Sequence, residues 1–193
     1  MPKILTNKTF LTLAAVAALA LPIALAMAAG EQDGGHGKAD GGHPHGDATS
    51  IGKPGHPTQA TRIIEIVMTE NRFTPNRISV TKGETVRFVL RNTGEAVHEF
   101  NIGTATAHVA HRKEMEAMVE NGVLEFDRIN LGRMTGDKGG ERAMMHDDAN
   151  AKLLEPGESA EIVWTFSADA ELEFACNVPG HYESGMRGDI RFR

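Results

Sequence analysis

Cys176, His181 and Met186 stand at four-residue gaps within the segment CNVPGHYESGM, residues 176–186. A thiol, an imidazole and a thioether on one short loop are donors for a soft metal ion. A mononuclear site that moves between Cu(I) and Cu(II) wants one thiolate, two imidazoles and a weak axial thioether. The loop supplies three of these four. The second imidazole has to come from elsewhere, and His98 is available on a strand that can neighbour the Cys strand. Pro179-Gly180 shape the loop ahead of His181, and Gly185 and Gly188 bracket Met186. The plainer reading, a buried structural Cys with an unrelated His and Met, requires three coincidences.

These residues need a rigid frame. From Arg62 onward the chain alternates apolar and polar residues with period two, the mark of half-buried strands. Ile64, Ile66 and Met68 form one such run; Ile78 and Val80 follow Pro75. Val86, Phe88 and Leu90 make the cleanest strand, with Arg87 and Arg91 on its outer face, and His98, Phe100 and Ile102 continue the alternation. Later come Ile162, Trp164 and Phe166, then Leu172, Phe174 and Cys176, and finally Ile190 and Phe192. Turn signals at Lys82-Gly83-Glu84, Asn92-Thr93-Gly94 and Pro156-Gly157 separate them. About seven short strands of this kind predict an all-β, antiparallel sandwich over residues 62–193, enough chain for one core.

Residues 104–152 break the pattern. Ala107 to Asn121 contains no Pro or Gly and many good helix formers, with Gly122 as a stop. This predicts an insertion of one helix and a long loop. His108, His111, Met115 and Met118 fall at offsets 0, 3, 7 and 10, an arc of about 80° on one helix face. Met144, Met145 and His146 add a second soft cluster. Imidazole and thioether together suit Cu(I), so a second copper site is one expectation. An amphipathic helix whose Met residues fill core gaps is the other.

Residues 1–29 read as a signal peptide. Lys3 and Lys8 precede an apolar run, and Ala24-Leu25-Ala26 and Ala26-Met27-Ala28 fit the small-x-small cleavage rule. An uncleaved anchor is the alternative. Cleavage implies an exported, periplasmic protein with no membrane attachment. Residues 30–61 are Gly-rich, lack aromatic residues and carry His36, His43, His45 and His56. They read as a disordered arm, either a loose metal collector or a solvated linker.

Composition narrows the functions. The formal net charge of the 193 residues is −6; without Lys3 and Lys8, 18 basic face 26 acidic side chains, near −8. Nucleic acid is not an expected partner. The single Cys excludes an internal disulfide framework, a Cys-rich zinc module, a Cys-ligated iron–sulfur cluster and a two-thiolate dinuclear copper centre. A lone thiol in an oxidising compartment persists because it is buried or because a metal holds it.

The ligand loop, the upstream His98 and the leader together resemble the cupredoxins, the blue-copper proteins of the plastocyanin and rusticyanin type. The resemblance covers roughly residues 62–103 and 153–193, and the loop gaps are similar to those of rusticyanin. It implies a Greek-key sandwich with His98, Cys176, His181 and Met186 as type-1 copper ligands. The flanks of Cys176 are Ala175 and Asn177, not the His through which related oxidases and nitrite reductases wire the Cys to a further copper. A multicopper enzyme is therefore not expected. Glu99 follows His98, where plastocyanin-like proteins commonly have Asn. The His- and Met-bearing insertion, with HRKEMEAM and MMHDDANA, also resembles that of bacterial copper-tolerance cupredoxins. Two roles follow: copper tolerance, with copper ions as the partner, or soluble electron transfer to a redox partner protein. A Cu(I)-oxidising activity is a lesser third, and no enzyme acceptor site is visible.

Overall fold

The computed structural model describes residues 51–130, 132, 148–167 and 170–193. The strands are β1 (Lys53–Pro54), β2 (Arg62–Thr69), β3 (Arg72–Thr74), β4 (Arg77–Val80), β5 (Thr85–Asn92) and β6 (His98–Gly103). Helix α1 (Ala105–Glu120) follows, then β7 (Ala151–Leu154), β8 (Ser159–Thr165), β9 (Leu172–Ala175) and β10 (Arg187–Phe192). They form two five-stranded sheets, in the orders β1-β8-β5-β2-β3 and β4-β10-β9-β6-β7. Pairings are antiparallel except at β2–β5 and β4–β10, which are parallel. Side-chain alternation has the same period in both directions, so it carries no sign of those two exceptions.

The alternating residues meet between the sheets. Ile66, Met68, Val86, Phe88, Leu90, Ile162 and Trp164 from one sheet pack with Ile78, Val80, Phe100, Ile102, Leu172, Phe174 and Ile190 from the other. Phe174 sits 5.2 Å from both the Phe73 and Phe100 ring centroids. A Cβ on Gly188 would come within 2.2 Å of the Phe174 ring, so β10 can pass there only as glycine.

Two expectations move. Residues 51–61, assigned by composition to the disordered arm, belong to the sandwich. Lys53 and Pro54 pair with Thr165 and Trp164. Ile51 is buried in the core and its carbonyl accepts the Trp164 indole N–H at 3.2 Å. A short 3-10 turn, Pro57–Gln59, is capped by His56, whose Nδ1 accepts from the Thr58 amide. The arm composition is real, but one isoleucine and two backbone pairings are enough to dock its end. The insertion also closes two residues early, since Ala151 and Lys152 already pair with β6 through β7. Residues 1–50, including the leader and His36, His43 and His45, lie outside the described residues.

The helix forms where the sequence places it but starts two residues sooner. Thr104 caps it, its hydroxyl accepting from the Ala107 amide at 3.2 Å, which satisfies one of the first-turn N–H groups. At the other end Gly122 takes φ +67°, the left-handed turn that stops a helix. His108, His111, Met115 and Met118 are its buried residues, as their spacing requires.

Candidate metal centre

β6 and β9 are hydrogen-bonded neighbours, with Asn101 opposite Ala175. His98 opens β6 and Cys176 follows β9 directly, so the sheet sets the first two donors side by side. The loop from Cys176 to Met186 closes on itself. The Cys176 amide donates to the Met186 carbonyl at 3.1 Å, and the Met186 amide donates to the His181 carbonyl at 2.9 Å. Gly180 and Gly185 take φ +84° and +95° inside it. β10 starts at once and pairs with β9, Arg187 opposite Ala175.

The outcome is one tight donor cluster. One ligand atom each of His98, Cys176 and His181 lies within 4.8 Å of the others. The two Nδ1 atoms are 3.2 Å apart, and Cys176 Sγ is 3.3 Å from His181 Nδ1. His98, Cys176 and Met186 are fully buried, and His181 is half-buried. Among the described residues this is the one group of three or more His, Cys, Asp or Glu side chains with a ligand atom from each all within 4.8 Å of one another.

Burial opposes charge on each of the three donors. Burial holds the His98 imidazole down to about 4, with His181 adding to the effect, and burial also lowers His181. Burial pushes the Cys176 thiol up to about 12; the Glu99 amide N–H works against that rise and the Glu99 carboxylate adds to it. Two imidazoles thus face a thiol that holds its proton tightly, and a metal ion bound there would displace that proton. One thiolate, two imidazoles and a buried thioether fit copper, and the residues present match that group.

Around the cluster lies a polar layer that the sequence did not announce. The Glu99 amide donates to Cys176 Sγ at 3.3 Å. Its carboxylate is buried too. Oε1 meets His111 Nε2 at 2.8 Å, and Oε2 accepts from the Asn177 side-chain amide at 2.7 Å and its backbone N–H at 3.2 Å. Asn177 Nδ2 also meets His108 Nδ1 at 3.2 Å. His111 Nδ1 reaches Glu114 at 2.9 Å. Burial opposes a charge on His111, but the Glu99 and Glu114 carboxylates outweigh it and raise the imidazole to about 9. Burial likewise opposes ionised Glu99, and His111 and Asn177 hold it below the usual carboxylate range. Outside, Glu70 Oε1 stands 3.8 Å from His98 Nε2 and accepts from the Glu95 amide.

Of the expected second copper site, the helical part falls among the described residues. His108 and His111 spend ring nitrogens on Asn177, Glu99 and Glu114, while Met115 and Met118 join Val97, Val123 and Leu124 in an apolar cluster. The four residues form the buried stripe that their spacing predicts. Met144, Met145 and His146 lie outside the described residues. The one clue to the Glu99 pairing was its unusual place after His98; its partner is twelve residues away and visible only once α1 is docked.

Comparison with known proteins agrees. A Cupredoxin-like domain model matches residues 48–121. The copper-resistant cuproprotein CopI of Pseudomonas aeruginosa is 47% identical over 152 residues, 76% of this chain and 83% of that protein. CopI of Rubrivivax gelatinosus is 38% identical over 167 residues, 81% of this chain and 87% of that protein. Among solved structures, auracyanin B aligns with a TM-score of 0.52 at 17% identity, covering 74% of this chain and 96% of its own, a likeness of fold. Donor set, sandwich and relatives lead to one conclusion: the chain belongs to the cupredoxin family of copper-binding proteins.

Proposed function

We propose that this chain is an exported type-1 copper protein that undergoes one-electron redox change and serves copper tolerance in the periplasm. The observation that carries the reading is the convergence of His98 Nδ1, His181 Nδ1 and Cys176 Sγ. Met186, buried and tied by backbone hydrogen bonds to both Cys176 and His181, would supply the fourth, thioether donor. Copper bound there supplies a Cu(I)/Cu(II) couple. The chain's part is to keep the donors fixed: the β9–β10 pairing pins both ends of the loop, and burial excludes water from three of the four ligands. A site that barely rearranges suits one-electron exchange. The tolerance role draws on the names of the relatives, copper-resistant cuproproteins. Residues 1–29, read as a cleaved leader, support export. No enzyme activity is proposed.

A second role, soluble electron carrier, draws on half-buried His181, the ligand with a route to the surface. Expression separates them: a tolerance protein rises with copper, a carrier with its redox partner.

The test is a visible spectrum and metal count on mature protein titrated with Cu(II), beside Cys176→Ala. An intense thiolate-to-copper band, absent from the variant, is expected at one copper per chain. No band in the native protein overturns the reading. A deletion strain should grow poorly in raised copper and be rescued by the native gene but not by Cys176→Ala.

A further inference from the structure

A buried carboxylate keeps its place only if both oxygens are compensated. Glu99, 2% exposed, meets that demand with three contacts: His111 on one oxygen, the Asn177 backbone and side-chain amides on the other. Their positions along the chain matter more than their number. Glu99 follows the donor His98, and Asn177 follows the donor Cys176. The carboxylate is therefore a staple between the residues next to two metal ligands, and its own amide N–H points at Cys176 Sγ. The third member, His111, comes from α1, an element outside both sheets.

We propose that His111 is a positioning residue for the Cys176 sulfur: from α1 it holds the Glu99 carboxylate, and Glu99 fixes both the amide that donates to Sγ and the Asn177 that follows the thiol. The inserted helix thereby sets the metal centre without contributing a ligand. This rests on the copper reading above. Partners of this outer kind change metal affinity by about 10- to 100-fold when removed. Hydrogen bonds to a metal-bound sulfur also tune its potential.

The experiment compares His111→Ala, His111→Gln and Met115→Ala with the native protein. Met115 is buried on the same helix face but sits in the apolar cluster, so it reports general loosening of α1. Each copper-loaded protein is read by its visible band, midpoint potential and Cu(I) affinity. Each metal-free protein is read by the rate of Cys176 alkylation with iodoacetamide. His111→Ala should shift the band and potential, weaken Cu(I) binding about 10- to 100-fold and speed alkylation. His111→Gln, whose amide can still donate to Glu99, should restore most of this. Met115→Ala should lower stability and leave band and potential in place.

Band, potential and affinity unchanged in His111→Ala would overturn the proposal, and so would an equal change in Met115→Ala. A native protein with no thiolate-to-copper band would instead overturn the copper reading. The alkylation rates would then decide the positioning role alone, faster in His111→Ala than in Met115→Ala if it holds and equal in both if it fails.

Discussion

The loop from Cys176 to Met186 and the inner face of α1 carry the same kinds of side chain: two histidines of α1 and its two methionines against a histidine, a cysteine and a methionine of the loop. All but His181 are buried. They differ in what their polar atoms have nearby. At the metal centre, the ring nitrogens of His98 and His181 and the Cys176 sulfur face one another. On α1, His111 lies between two carboxylates, His108 meets an amide, and the sulfurs are wrapped in apolar neighbours. The same residue types thus sit in two different polar surroundings, and the surroundings set the two regions apart.

Breaking the contrast is a matter of removing one side of it at a time. The largest effect is expected at the loop, where Cys176→Ala should abolish the visible band and lower copper affinity by orders of magnitude, read by titration against a competing chelator. His111→Ala should keep one copper per chain, measured by elemental analysis. It should nevertheless cost about 3–5 kcal/mol in a denaturant titration, because it leaves the Glu99 charge buried without its cation. Met115→Ala should cost about 2–5 kcal/mol by the same titration through the cavity it opens, again with copper content intact.

The two regions should also answer pH in opposite directions in the metal-free protein. His111 is raised from 6.5 to about 9, so the folded state binds the extra proton between those values. Its stabilisation is complete below pH 6.5 and disappears as pH rises through about 9. His98 is lowered from 6.5 to about 4, so the unfolded state takes up the extra proton first, and stability falls as pH drops from 6.5 through about 4. Denaturant midpoints across pH should show both limbs, with His111→Gln losing the alkaline one. The smallest effect belongs to the link between the regions. Arg112 on α1 lies 4.3 Å over the Tyr182 ring and pairs with Glu183 at 3.2 Å. Arg112→Ala should cost about 1 kcal/mol, visible as a small shift of the thermal midpoint.

Much of this arrangement was legible in the residues. The loop donors are close in sequence, so their spacing is nearly their geometry. Val86, Phe88 and Leu90 announce a strand because one face of a sheet must be apolar. The α1 span could be read from the absence of Pro and Gly. What escaped was set by distant pairing. Lys53-Pro54 has no strand pattern of its own and is a strand because Thr165 and Trp164 offer an edge. The parallel partners of β5 and β10 are invisible to a period-two signal. The Glu99–His111 contact depends on how α1 settles against the loop, and no local propensity encodes that.

Trp164 is the chain's sole tryptophan, and its indole is tied to the carbonyl of Ile51 on the sheet opposite the one that carries β9 and Cys176. Its fluorescence therefore watches the docking of the N-terminal segment, while the thiolate-to-copper absorption watches the other layer. Copper bound at Cys176 would thus add a second optical reporter beside Trp164, with no label needed. If unfolding of the copper-loaded form is cooperative, both signals will fade along a single curve. If emission changes first, the N-terminal edge opens while the metal end still holds.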